Sequence, residues 1–208
     1  RRGARPLRLR IGLKNELVAS VPWHTSERYL AEFIESQRDW IEAQIERAPE
    51  SRTLGSWLEE HPRVSASGDI YLVRIETAGG TRANYRFAAG GSELILMLPE
   101  MSEAALLKLV RRFAQDALTC RVAYHAKRLG LDYAGLSVRD QASRWGSCSA
   151  RRGVSLNWRL ILLDPPLQDY VILHELAHLS EMNHGRRFWA LLDQYDPNRV
   201  AHEQALDQ

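Results

Sequence analysis

The sequence predicts an α+β fold. Three observations point to it: three β-rich runs between residues 69 and 98, one long amphipathic segment over 102–131, and a C-terminal third in which two strand-like runs precede two helical ones. With 208 residues, 45% apolar and 26% charged, the chain can hold one domain with a sizeable core plus an extension.

The first segment, "LRLRIGL" (7–13), alternates with period two and predicts a strand. "VPWHTSERYLAEFIESQRDWIEAQIER" (21–47) predicts one helix, with Thr25 or Ser26 as N-cap and Pro49 as its end. Its stripe of Tyr29, Leu30, Phe33, Ile34, Trp40, Ile41 and Ile45 is expected to pack in a core. The runs "IYLVRIE", "ANYRFAA" and "ELILMLP" predict an antiparallel meander turning at Gly79-Gly80 and Gly90-Gly91. Pro99 marks the expected boundary, dividing a β-rich and helical extension (1–99) from the main domain (100–208). The main domain opens with a helix over 102–131, capped by Ser102 and stopped near Gly130. A lone histidine on it, His125, is expected to be a surface or core residue. "LSVRDQASRWGSCS" and "VSLNWRLILL" predict two strands about the turn "ARRG". Asp164 and Pro165 then suit the N-cap and first turn of another helix.

Composition excludes several classes. A net charge of +2 gives no bulk attraction to nucleic acid, and the arginines of "RRGARPLRLR" are expected to be solvated. No stretch reaches the ~20 apolar residues of a membrane span, and the first residues lack the apolar run of a signal peptide. Two cysteines, Cys120 and Cys148, make no disulfide framework. A reducing, cytoplasmic setting is expected, with both thiols free and no membrane partner.

Chemistry concentrates in "VILHELAHLSEMNHGRRFW" (171–189). His174, Glu175 and His178 form H-E-x-x-H, which on a helix sets two imidazoles on one face. Glu175 is turned by about 100° from His174, within reach of a water on a shared ion but poorly set as a ligand. An open zinc site needs a third protein ligand. Glu181 shares the helix face, but three ligands along one straight helix would spread over about 10 Å. Continued helix would carry His184 about 240° away from His178, so His184 can join only if the helix breaks, which Asn183 and Gly185 allow. The expected ligands are therefore His174, His178 and His184, with zinc as the metal, Glu175 as general base, and Glu181 either behind the ligands or solvated. The histidine spacing is that of metzincin proteases, but no methionine follows His184 to form their Met-turn. Beyond it, "RRFWALLDQY" resumes helical spacing, with Trp189 expected to hold the His184 turn.

"RWGSCS" (144–149), "LNWRLILLDPP" (156–166), "DYVILHELAHLSEMNH" (169–184), "RFWALLDQYDP" (187–197) and the earlier "FIESQRDWI" (33–41) resemble the YgjP-like metal-dependent hydrolase family, a zincin-like branch near the SprT and WLM domains. The resemblance implies a compact zincin core of a long helix, a small antiparallel or mixed sheet, the H-E-x-x-H helix and a backing helix. It also implies zinc on His174, His178 and His184 and a metallopeptidase activity with Glu175 as base.

An oxyanion donor is needed as well. Arg144, Asn157, Tyr170 and Tyr195 are candidates, and the resemblance brings Arg144 near the site. Trp145 and Trp158 are expected to line the cleft or fill the core. The expected partner is a polypeptide, added as a strand to the edge formed by residues around 136–144 or 154–161. Two other readings stand beside it. One is a nucleoside triphosphate pyrophosphohydrolase using Arg144, Arg151, Arg152 and Arg159 on phosphates. The other is a zinc-stabilised binding module, which the presence of Glu175 argues against.

Overall fold

The structure, a computed structural model, describes residues 7–11, 17–22, 24–47 and 53–206. The arginine-rich start (1–6), the Ile45 side chain and Pro49 lie outside the described residues. The chain forms two compact units, Arg1–Arg52 and Thr53–Gln208. The boundary expected at Pro99 falls inside the second unit, whose core takes side chains from both sides of it.

In the first unit, β1 (Arg8–Ile11) and β2 (Leu17–Ser20) pair antiparallel. The single helix expected here is two, α1 (Glu27–Ser36) and α2 (Arg38–Arg47). Ser26 is the N-cap, accepting from the Tyr29 amide. The break follows from Ser36, whose hydroxyl turns back onto the Phe33 carbonyl at 2.7 Å and competes with the helix ladder. The aromatic stripe is not a core: Tyr29 and Trp40 are exposed, and α1 has no buried residue. A unit this small has little interior to offer them.

The second unit opens with α3 (Leu54–Glu60), capped by Thr53, and a strand not expected from the sequence, β3 (Arg63–Ala66). A two-residue turn links β3 to β4 (Asp69–Thr77), with Ser67 and Gly68 both at positive φ (55° and 89°). A Cβ at Gly68 would also stand 2.9 Å from the Arg121 guanidinium nitrogens, so both conformation and space call for glycine. β5 (Asn84–Phe87) and β6 (Glu93–Leu98) complete a sheet of order β3-β4-β6-β5. This is not the antiparallel meander expected, because β4 and β6 run parallel and β6 inserts between β4 and β5. The reason is visible in β6 itself. Leu94, Ile95, Leu96 and Leu98 are all buried, and a strand covered on both faces takes the centre of the sheet.

The long helix α4 (Glu103–Leu129) follows the sequence expectation, from Ser102 as N-cap to Gly130 as C-cap. Its buried stripe runs through Leu106, Leu109, Val110, Phe113, Ala117 and Leu118, spaced three and four apart. Three strands, not two, come next: β7 (Gly135–Arg139), β8 (Gly146–Cys148) and β9 (Gly153–Asn157), in the order β7-β9-β8. The run "VSLNWRLILL" is a strand only to Asn157, whose side-chain Oδ1 accepts from the Arg159 amide and starts a 3-10 helix, Trp158–Leu162. Then come α5 (Pro165–Ala177), α6 (Arg186–Tyr195) and α7 (Arg199–Leu206). Asp164 stands at the N-cap of α5 without making the side-chain cap bond; its carboxylate faces Arg63 at 3.4 Å instead. No helix among the described residues is long and apolar enough to cross a membrane.

Polar ties fix α5 to its surroundings. Gln168, fully buried, donates to the carbonyls of Ser65 and Leu160. Asp169 receives two bonds from the Arg121 guanidinium and lies 3.0 Å from His125 Nε2, so His125 is a buried structural residue of α4. Burial pushes the Asp169 carboxyl up, but His125 and Arg121 together outweigh it and hold it below the usual range. Its folded pKa thus lies below the unfolded value of about 3.9. The stability it contributes is complete above that value and is lost as the pH falls through the folded pKa. Asp169→Asn is therefore expected to cost roughly 3 kcal/mol at neutral pH, by leaving Arg121 unpaired, and to flatten the acid limb of a stability–pH curve measured by urea unfolding. An unchanged acid limb would contradict this assignment.

Candidate metal centre

α5 carries His174 and ends on His178 as its C-cap, four residues later and still in right-handed helical conformation, so both imidazoles leave the same face. The helix then ends sooner than expected. The amides of Leu179 and Ser180 bond to carbonyls three residues back, and His178 Nδ1 lies 3.1 Å from the Glu181 carbonyl. The chain turns through residues 179–185 with no left-handed residue at Asn183 or Gly185, and α6 begins at Arg186. The expected consequence of a break still follows, since His184 comes back to the two helical histidines.

The candidate nitrogens of His174, His178 and His184 all lie within 4.8 Å of one another, and the Nε2 atoms of His174 and His184 are 3.0 Å apart. Phe188 of α6, wholly buried, stacks on His178 at 4.6 Å and meets His174 and His184 edge-on at 5.0 and 4.7 Å. Trp189 stacks on His184 at 5.6 Å, as its expected role in holding that turn requires. The Glu181 backbone, not its side chain, meets His178: as an acceptor it fixes Nδ1 as the protonated nitrogen and leaves Nε2 free to bind.

Glu175 is buried, and among the described residues its Oε2 has no hydrogen-bond partner. It lies directly against β8: a Cβ at Gly146 would stand 2.6 Å from Glu175 Cγ and Oε1. Only glycine leaves that space. The sequence motif "RWGSCS" contained this residue, but its function as room for a carboxyl depends on a distance that no spacing rule supplies.

Burial dominates the electrostatics. It pushes His174 down to about 4, with His178 and His184 adding to the effect, and it lowers His178 as well. It pushes Glu175 up to about 8, against the Arg144 charge, which draws it down. A cation held by the three imidazoles would act in the same direction as Arg144 and favour the carboxylate. The donor set fits such a cation. Among the described residues three imidazole nitrogens converge with no fourth side-chain ligand, a pattern that suits zinc and leaves one position open, whereas magnesium and calcium take oxygen.

The other candidates divide clearly. Arg144 is exposed, and its charge reaches Glu175. Asn157 is spent on structure: its amide donates to the carbonyls of Gln141 and Arg144 at 2.8 and 3.3 Å and pins the loop that presents Arg144. Tyr170 is buried, edge-on to His174 at 6.0 Å. Tyr195 is half-buried, with a hydroxyl raised by burial against a hydrogen bond from Ser180. Trp158 is a core residue whose Nε1 donates to Asp140, and Trp145 packs against the core. Cys120 and Cys148 are both free thiols; burial, then the Glu175 charge, raises that of Cys148.

Comparison with known proteins gives a family match over nearly the whole chain. The family model described as YgjP-like, metallopeptidase domain, matches residues 5–208. No curated protein matches. Among solved structures, the metallopeptidase zymogen abylysin of Pyrococcus abyssi is 21% identical with a TM-score of 0.37, over 41% of this chain and 87% of that one. The metallopeptidase zymogen jannalysin of Methanocaldococcus jannaschii is 24% identical with a TM-score of 0.38, over 42% and 90%.

Proposed function

The chain belongs to the YgjP-like metallopeptidase family, and from that premise we propose that it is a zinc-dependent peptidase with His174, His178 and His184 as ligands and Glu175 as general base. One observation carries the reading: a buried carboxyl with an oxygen unpartnered among the described residues belongs to Glu175, the next residue in α5 after His174, one of three convergent imidazoles. Zinc at the histidines would lower the pKa of a water toward about 7 and polarise the scissile carbonyl. Glu175 accepts the proton of the attacking water and delivers it to the leaving amine. His178 keeps the tautomer that its bond to the Glu181 carbonyl dictates. Arg144 supplies the charge for the developing oxyanion.

Among the described residues β8 is an edge strand, paired only with β9, and its Gly146 lies against Glu175. An extended peptide adding to that free edge would bring its backbone past the base. β9, in the expected run around 154–161, is central and has no free edge; the expected run around 136–144 holds the other edge strand, β7, and β8 lies just beyond that run. Every residue given a chemical role falls within residues 100–208, the segment assigned here as catalytic, while β3–β6 back α4. Two free thiols fit a reducing compartment such as the cytoplasm.

The nucleotide reading loses two of its four arginines. Arg152 donates to the carbonyls of Asp132 and Leu179, and Arg159 pairs with Asp140. The zinc-loaded chain is expected to cleave unfolded polypeptide and to leave nucleoside triphosphates intact, in an assay with both offered separately and DNA binding followed by salt titration. Turnover of the triphosphates alone would replace the peptidase reading, and DNA binding without turnover of either would favour a binding module.

A further inference from the structure

The three-stranded sheet has two faces, and only one is used by the metal centre. Gly146, whose Cβ direction meets Glu175, faces α5. Its neighbour Ser147 therefore faces the opposite way. Register carries that second face across all three strands, because Ser147 pairs with Ser155 and Ser155 with Ser137. Over this row lies an open cavity of about 580 Å³ that also takes in Arg139 and Arg144 and has no acidic residue in its lining. The nearest acid in sequence, Asp140, is committed to Arg111 and Arg159. Among the described residues Arg139 and Arg144 have no ion-pair partner, and Arg139 Nε donates to Ser137 Oγ at 3.3 Å, which lays the guanidinium toward the row. Ser155 Oγ is buried without a hydrogen-bond partner. Two unpaired guanidiniums and an unsatisfied hydroxyl form a recognition set for a carboxylate.

On the reading that an extended polypeptide adds to β8, we propose that this cavity is a substrate subsite for an acidic side chain, held by Arg139 with Arg144 at its border. Side chains of an added strand alternate between faces, and cross-strand partners share one. The residue paired with Ser147 thus points into the cavity, while its neighbours point toward the Glu175 side. Arg144 borders the cavity and also acts on Glu175, so occupancy of the subsite and the reacting bond are adjacent. The enzyme is therefore selective for acidic segments, with Glu or Asp at one fixed position relative to the cleaved bond.

The test has two arms. In the first, the zinc-loaded full chain is given a cleavable peptide in which each position is set in turn to Glu, Gln or Lys. One position is expected to favour Glu over Gln in kcat/KM on the order of tenfold, the effect of a charge-assisted hydrogen bond. Arg139→Glu, at an exposed position, is expected to reverse that order in favour of Lys. Cleavage with no Glu preference, or with one that Arg139→Glu leaves unchanged, overturns the subsite while the peptidase reading stands. In the second arm, amide shifts of Ser147 and Ser155 are followed by NMR as N-acetylglutamate N-methylamide, its glutamine counterpart or inorganic phosphate is added. Saturable shifts from the glutamate compound alone, lost in Arg139→Glu, support the subsite even if no peptide is cleaved. No shift, equal shifts in the variant, or a response to phosphate alone overturns it.

Discussion

Glu175→Gln is expected to lower peptide hydrolysis by about 10²- to 10⁴-fold, the range typical of general acid–base catalysis, with zinc content and melting temperature at the parent's values. The substitution keeps the shape of the side chain and removes its capacity to accept a proton. Nothing in the packing opposes it, since Oε2 has no partner to lose and the neighbouring β8 contact is with Gly146. Gly146→Ala offers an independent route to the same loss. Its methyl would stand 2.6 Å from Glu175 Cγ and Oε1, so the carboxyl must move although its chemistry is intact. Steady-state kinetics on the best polypeptide substrate, with metal content determined on the same samples, checks both. Parent-like turnover by Glu175→Gln would remove the base from the mechanism.

Phe188→Ala is expected to lower unfolding free energy by about 3–5 kcal/mol, the usual cost of emptying a buried aromatic site. Phe188 is fully enclosed, and all three histidine rings rest on it, within 5.0 Å between centroids. The loss therefore falls on the floor of the candidate metal centre as well as on the core. Urea unfolding of the metal-free chain measures it without interference from bound metal. A cost below about 1 kcal/mol would mean that the α5–α6 contact is not what holds the histidines together.

How far the sequence reveals this arrangement depends on how local each cause is. α4 is legible because its periodicity and both end signals, Ser102 and Gly130, lie within one segment. The three histidines are legible because helix geometry limits which residues can share one face and a break was required for His184. The position of that break was not, because it depends on His178 reaching the Glu181 carbonyl, a side-chain choice with no compositional sign. Sheet order was hidden for a related reason. Gly79-Gly80 looks like a hairpin turn, but the burial of β6 on both faces decides its neighbours, and burial is a tertiary property. β8 is three residues long, below what alternation can signal, yet it supplies the glycine that admits Glu175. Tyr29 and Trp40 err in the opposite direction: helical spacing of aromatics promised a core that the small first unit does not provide.

Zinc content after dialysis against a competing chelator tests the central assignment most directly, with the parent compared to His174→Ala, His178→Ala, His184→Ala and Glu181→Ala. The converging imidazoles predict one zinc per chain in the parent and in Glu181→Ala, and its loss from each histidine variant. Retention of zinc by His184→Ala together with its loss from Glu181→Ala would contradict the ligand set, and a parent that binds none would contradict the metal centre itself.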